Sequence, residues 1–254
     1  MKPAPSVRVA AFGRTGSGKT EYLARHWLHR CQRLLVVDET GEWEDRAAAH
    51  REQYDFVTGL PKTIEALHRH AHQPTWRIIT DLHREELLEL CERILPRGKI
   101  RQGYTAKIGG MALLIEEADS VMPIGASPPP EIRAIFRRGR HGGLSVFASA
   151  QRANISKEMT ANCQYIALLS LHEPRDEEYF TDLFKDEEAA HRALVWVNDR
   201  TNPYRVAVFE TTDRTLTLYD KDGVAHAEAW EPEAPKAHPS PRQPPTLRRK
   251  ESEG

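Results

Sequence analysis

Short apolar runs, separated by polar stretches with helical spacing, dominate the first two thirds of the chain. Residues 7–12 (VRVAAF), 34–38 (LLVVD), 76–80 (WRIIT), 111–115 (MALLI), 144–148 (LSVFA) and 165–169 (YIALL) read as buried strands, with 54–57 as a weaker candidate. Between them, 19–30, 61–72 and 84–95 carry helical patterns, the second opened by Pro61 and the third closed by Pro96. Strands alternating with helices predict an α/β fold with a mostly parallel sheet flanked by helices on both faces. Further on, 177–190 is acidic and predicts one helix, while 195–197, 205–209 and 215–219 predict short late strands. From Glu231 the pattern stops: six of the last 24 residues are proline and almost none is a large apolar side chain. The expectation is one folded domain over 1–230 and a proline-rich disordered tail over 231–254.

The first turn after the first strand carries a chemical motif. Gly13-Arg14-Thr15-Gly16-Ser17-Gly18-Lys19-Thr20 fits G-x-x-x-x-G-K-[ST] without a mismatch, between a predicted strand and a predicted helix. Glycines let successive backbone N–H groups curl around phosphates, and the helix N-terminus adds a positive dipole end. In such a Walker A loop Lys19 meets the β- and γ-phosphates and the Thr20 hydroxyl ligates Mg²⁺. The loop predicts a P-loop NTPase of RecA-like type, with ATP and Mg²⁺ as cofactors.

A second element completes that chemistry. The apolar run 111–115 ends in Glu116-Glu117, the form expected of a Walker B strand that delivers acids to the carboxyl edge of the sheet. Glu116 is the candidate Mg²⁺ carboxylate, and Glu117 the candidate for orienting and polarising the attacking water. Glu116 departs from the commoner Asp and reaches one methylene further. Asp38 ends another predicted strand and ranks behind this pair, as a supporting or loop-capping carboxylate. Gln151, just past the strand at 144–148, is placed to sense the γ-phosphate or hold the water.

Between 133 and 152 lie five arginines and no acid. Arginine offers a rigid, permanently charged fork suited to phosphate oxygens. Within this segment the succession Gly139-Arg140-His141-Gly142-Gly143-Leu144, then Ser149-Ala150-Gln151-Arg152, then Pro174-Arg175-Asp176 resembles the FtsK–HerA superfamily of DNA-pumping ATPases. Glu116-Glu117-Ala118 and Val37-Asp38-Glu39-Thr40-Gly41-Glu42-Trp43 resemble the same family, so the likeness spans about residues 7–184. It implies a homo-hexameric ring with ATP at subunit interfaces and double-stranded DNA in the pore. The family's arginine finger, which acts on a neighbour's nucleotide, falls on Arg140, and its polar sensor on Gln151; Arg137 and Arg138 match less securely. With the phosphate loop starting at Gly13, the N-terminal barrel of HerA-type relatives is not expected, nor are the membrane region and winged helix of FtsK-type relatives. The chain resembles the stand-alone genome-packaging ATPases of tailless double-jelly-roll viruses and phages, and also small plasmid or phage translocases. The first likeness implies host-cytoplasmic localisation, virion association and contact with capsid vertex proteins. A HerA-like helicase in repair or conjugation, and a nucleotide-gated assembly scaffold, are the alternatives.

Composition refines this picture. A formal net charge of −1, from 36 Lys+Arg against 37 Asp+Glu, excludes a globally basic DNA-coating protein but not local patches. One such patch is the acid-free stretch 96–107, where Arg97, Lys99, Arg101 and Lys107 are candidate phosphate-backbone contacts with Tyr104 among them. No apolar run reaches the length of a membrane span. Cys31, Cys91 and Cys163 form neither a metal spacing nor a disulfide framework. His68, His70 and His72 do not converge on one helix face. The basic cluster Arg248-Arg249-Lys250 in the tail reads as a solvated patch, with contact to DNA or a partner as the alternative.

Overall fold

The computed structural model describes residues 6–50, 53–95, 110–171 and 173–226. In chain order the strands are β1 (Arg8–Phe12), β2 (Arg33–Val37), β3 (Asp55–Val57), β4 (Trp76–Thr80), β5 (Met111–Ile115), β6 (Leu144–Ala150), β7 (Tyr165–Leu168), β8 (Val206–Glu210), β9 (Thr215–Tyr219) and β10 (Ala225–His226). The α-helices are α1 (Lys19–His26), α2 (Glu42–Ala49), α3 (Gly59–His70), α4 (Arg84–Ile94), α5 (Pro130–Arg138), α6 (Lys157–Thr160), α7 (Pro174–Phe184) and α8 (Glu187–Val197). All ten strands join one sheet in the order β10-β9-β8-β7-β1-β6-β5-β2-β4-β3. From β7 to β3 every pairing is parallel. The late strands then extend the β7 edge antiparallel.

Side-chain alternation sorts the strands into two cores. On one face Phe12, Leu35, Val37, Ile78, Leu113, Ile115 and Val146 pack with the buried stripes of α3, α4, α5, α7 and α8. On the other, Val9, Ala11, Leu34, Val36, Ala112 and Leu114 meet α1 and α2. A run of five fully buried residues such as β5 therefore serves both cores at once. Beneath β1, β7 and β8 an aromatic cluster forms: Phe180 lies 5.3 Å from Phe12 in an edge contact and 5.2 Å from Tyr179, and Phe184 stacks 4.0 Å from Phe209.

Several sequence expectations are corrected. Residues 195–197 are the last turn of α8, not a strand. Ala189, Ala190, Ala193, Leu194 and Val197 continue one buried helical stripe, and a three-residue apolar run cannot be assigned by periodicity alone. The single helix expected over 177–190 is two. Lys185 takes a left-handed φ of +55° that ends α7, and the Asp186 carboxylate accepts the Ala189 N–H at 2.8 Å to start α8. The helix after the phosphate loop ends at His26 and is followed by a short 3₁₀ turn, Leu28–Arg30. Helices α2 and α5 were not expected at all. The tail at 231–254 and the boundary at 230 lie outside the described residues.

Phe180 is fully buried at the centre of the aromatic cluster. Truncating it to Ala removes a ring that helix and sheet cannot collapse to fill. Phe180→Ala is expected to lower the unfolding free energy by about 3–4 kcal/mol, read from denaturant midpoints at unchanged slope.

Candidate nucleotide-binding and hydrolytic site

The phosphate loop leaves β1 between two neighbours. Gly13 N–H donates to the Ala150 carbonyl at the end of β6 (3.1 Å), and Arg14 N–H to the Ser170 carbonyl just past β7 (2.9 Å). The loop is thus pinned to both flanking strand ends before it turns. A Cβ at Gly13 would stand 2.5 Å from Ser17 Oγ and 2.9 Å from Leu169 Cβ, so the first position of the motif admits no side chain. Gly18 has φ +91°, the left-handed geometry that lets the chain enter α1 with its amides turned inward. Lys19 is 6% exposed, with Nζ resting 3.4 Å from the Arg14 carbonyl across the loop. Ser17 Oγ is buried and finds no partner among the described residues. A cavity of about 370 Å³ opens over Gly16, Gly18, Lys19 and Thr20, bounded opposite by Glu42 and Arg46 of α2. Thr20 Oγ1 donates to the Glu42 carboxylate at 3.2 Å.

The carboxylates sit two strands away, with β6 inserted between β1 and β5. The parallel register pairs Ile115 with Ala148, which brings Ser149 alongside Glu116. Glu116 is 8% exposed, and both its oxygens accept hydrogen bonds, one from Trp43 Nε1 and one from Ser149 Oγ. Burial pushes its carboxyl up to about 7, with further upward pressure from Asp38 and Glu42; the Trp43 hydrogen bond and the Lys19 ammonium pull the other way. Glu117 follows in the left-handed region at φ +48°, a conformation costly for a non-glycine residue, and its carboxylate accepts from Gln151 Nε2. Gln151 is held in turn: the next residues are tied to α7 by Arg152 paired with Glu173 at 2.7 Å and by Ala153 N–H donating to Asp176 at 3.3 Å. Asp176, the Asp of the Pro-Arg-Asp match, is buried and thereby fixes the chain just past Gln151.

Asp38 is a loop-capping group. Its carboxylate accepts from Thr40 N–H (3.2 Å), Gly41 N–H (3.1 Å) and Trp43 N–H (2.7 Å), which starts α2 and aims the Trp43 indole at Glu116. Trp43 and Ser149 are the site residues that sequence reasoning missed. Ser149 is legible from the strand register, and Trp43 from the three acids of its first turn, Glu42, Glu44 and Asp45, which signal a helix start.

The structure brings Lys19, Thr20, Glu116, Glu117 and Gln151 to one carboxyl edge of the sheet. It does not bring Arg140 there. Arg140 lies in the 3₁₀ turn Gly139–Gly142 that precedes β6, at the opposite edge. The seven residues of β6 separate the two edges by about 20 Å. Arg140 is exposed and has no ion-pair partner among the described residues. Of the other arginines in its segment, Arg133 and Arg137 converge on Glu158 at 3.1 and 2.6 Å. Arg97, Lys99, Arg101 and Lys107 lie outside the described residues. Among those described, no group of three His, Cys, Asp or Glu side chains is arranged to hold a metal, and no helix is long and apolar enough to cross a membrane. The Thr20 hydroxyl and the Glu116 carboxylate are nonetheless the hard oxygen donors that suit Mg²⁺ alongside substrate phosphates, and the charge of Lys19 is felt at Glu116. These residues fit the ion.

A pinned glycine loop with a buried lysine, two carboxylates on a neighbouring strand end and an inserted strand ending in a polar sensor define a P-loop NTPase fold. No protein-family model matches the chain, and no curated protein matches it in sequence. Among solved structures it is similar to the genome packaging NTPase B204 of Sulfolobus turreted icosahedral virus 2. Against the complex with ATP-gammaS the TM-score is 0.63 at 16% identity, over 85% of this chain and 97% of that one. The AMPPCP complex gives 0.61 at 19% identity, with the same coverage of 85% and 97%. B204, the DNA-packaging ATPase of Sulfolobus turreted icosahedral virus, gives 0.61 at 18% identity over 86% and 98%.

The raised carboxyl of Glu116 has a measurable consequence. Between its ordinary value of 4.5 and about 7, the folded chain holds a proton that the unfolded chain has released, so stability falls as pH rises through that window. Glu116→Gln removes the titration while leaving an amide between Trp43 and Ser149. Its stability relative to wild type is expected to rise by on the order of 2 kcal/mol from about pH 5 to about pH 8, measured by denaturant unfolding of nucleotide-free protein. A difference that stays constant with pH would refute the assignment.

Proposed function

We propose that the chain is an ATP-hydrolysing double-stranded DNA translocase that works as a homo-hexameric ring and packages a viral genome into a preformed capsid. The observation that carries this reading is the division of the machinery between two edges of the sheet. Everything needed to bind a triphosphate and activate water gathers at one edge, while Arg140 stands exposed at the other. An arginine so placed cannot reach its own phosphate loop, but in a ring it can reach a neighbour's. The likeness in fold to the packaging NTPases supports the same reading, as does the family pattern around Arg140 and Gln151.

In this mechanism the loop from Gly13 to Thr20 wraps the phosphates and Lys19 moves from the Arg14 carbonyl onto their oxygens. Thr20, released from Glu42, and Glu116 would hold Mg²⁺, which would neutralise charge on the phosphate oxygens. Glu117 accepts a proton from the attacking water, and Gln151 keeps that carboxylate turned toward the γ-phosphate. Arg140 of one subunit stabilises the charge that develops in the next. The basic stretch with Arg97, Lys99, Arg101 and Lys107 is the candidate contact to the DNA backbone, giving salt-dependent grip without sequence readout. The cytoplasm of the host, and then the capsid vertex, are the places where such a motor acts.

Complementation between variants tests the trans arrangement. Lys19→Ala and Arg140→Ala are each expected to reduce duplex-stimulated ATP turnover at least about 100-fold. An equimolar mixture of the two is expected to regain a measurable fraction, because some interfaces then pair an intact loop with an intact finger. No recovery in mixed rings would remove Arg140 from the catalytic scheme. Turnover by wild-type protein that is indifferent to long duplex DNA would replace the translocase reading with that of a nucleotide-gated scaffold.

A further inference from the structure

On the β7 flank of the phosphate loop, away from the carboxylates, an aromatic ring stands where no core explains it. Tyr204 is 61% exposed. Its φ of +67° lies in the left-handed region that bulky side chains rarely adopt. The ring leans over the phosphate loop: Cδ1 is 3.4 Å and Cε1 3.9 Å from the point that a Cβ on Gly18 would occupy. A Cβ at Gly18 would meet the ring in ordinary van der Waals contact.

The segment 198–205 that carries the ring is held firmly, although hydrophobic packing contributes little. Asn198 Oδ1 accepts the Leu171 N–H at 2.9 Å. The Asp199 carboxylate accepts from Thr201 N–H at 2.9 Å and from Arg205 Nη1 at 2.7 Å. The Arg205 guanidinium in turn lies 3.8 Å over the Trp196 ring. This bracing keeps an unfavourable backbone conformation in place and an aromatic face in solvent. Two cavities meet at that face. One, of about 410 Å³, runs along Arg14, Gly16 and Ser170. The other, of about 700 Å³, runs along Glu21, Tyr22 and Tyr165. Ser17 and Tyr204 border both, so each space opens directly off the phosphate loop, and each is large enough for a nucleoside.

We propose that Tyr204 is the base platform of the site: its ring stacks on the purine of a nucleoside triphosphate whose phosphates occupy the loop. The inference rests on the nucleotide-binding reading above and adds where the base goes. Stacking uses the π face that every base possesses, so the platform holds adenine and guanine triphosphates with similar strength.

Calorimetric titration of the full chain with ATP, GTP and inorganic tripolyphosphate tests this. Tyr204→Asn is the informative variant, because Asn tolerates the left-handed region and the loop keeps its shape. It is expected to weaken ATP and GTP about tenfold each while leaving tripolyphosphate within about twofold of wild type. Tyr204→Phe, which keeps the ring, is expected to bind both nucleotides as wild type does. Unchanged ATP affinity in Tyr204→Asn would overturn the proposal. So would equal weakening of ATP and tripolyphosphate, since the ring would then only support the loop. A loss in Tyr204→Phe as large as in Tyr204→Asn would overturn it too, by assigning the effect to the hydroxyl. Wild-type protein that binds neither ATP nor tripolyphosphate would sink the nucleotide reading itself, whereas tripolyphosphate binding without preference for ATP would sink the platform alone.

Discussion

A carboxyl group taken out of water has to be met on both oxygens, and Glu116 imposes that demand on four separate parts of the chain. One donor is the Ser149 hydroxyl, which arrives only if β6 lies beside β5 in the observed register. The other is the Trp43 indole, which arrives only if α2 starts where Asp38 makes it start. The Lys19 ammonium, delivered by β1 and the phosphate loop, supplies the attraction that partly offsets burial. Shifting β6 by one residue would turn Ser149 to the other face and leave a buried oxygen without a donor. The same shift would move Gln151 away from Glu117. Strand register, helix start and hydrolytic geometry are therefore coupled through one side chain.

Electrostatics across the molecule follow from local pairing rather than from the sum. The near-zero net charge conceals an arginine-rich segment, but the fold neutralises much of it. Glu158 absorbs Arg133 and Arg137, and Glu173 absorbs Arg152. Those pairs brace α5 and the chain that follows β6, so their arginines have structural work in place. Arg140 differs in having no ion-pair partner among the described residues, on a glycine-flanked turn at the far end of a strand from its own nucleotide site. The ring proposed above would give that charge a partner across a subunit interface.

Much of the architecture was legible because buried parallel strands read as continuous apolar runs. The β1, β4, β5 and β9 runs appear where the pattern puts them, and the P-loop motif with its strand and helix is complete. What escaped reading depended on long-range context. Helix α2 begins with an acidic, polar sequence whose reason for folding is a carboxylate on the preceding strand end and a core position waiting for Trp43. Helix α5 interleaves its signals with arginines: Pro130 stands at its first turn, and buried Ile132, Ile135 and Phe136 form its apolar stripe. The Val195 to Val197 run was misassigned because an apolar helix end and a short strand look alike locally. The spatial gap between Arg140 and Gln151 was also invisible: eleven positions apart in sequence, they stand at opposite edges because a whole strand runs between them.

Backbone conformation separates structural from functional placement in this fold. Among the described residues, four that are not glycine adopt positive φ: Glu117, Lys185, Tyr204 and Arg214. Two have ordinary reasons. Lys185 ends α7, and Arg214 lies in the tight connection between β8 and β9, where its guanidinium also meets the Phe184 carbonyl at 3.1 Å. Glu117 opens the short 3₁₀ turn Ala118–Ser120 and Tyr204 lies in the turn that leads into β8, and glycine would fit both positions with less strain. Glu117 stands at the end of the carboxylate strand, held by Gln151, and Tyr204 stands beside Gly18 of the phosphate loop. On the proposed function, these two strained points would serve the two ends of a bound nucleotide, the carboxylate at the γ-phosphate and the ring at the base.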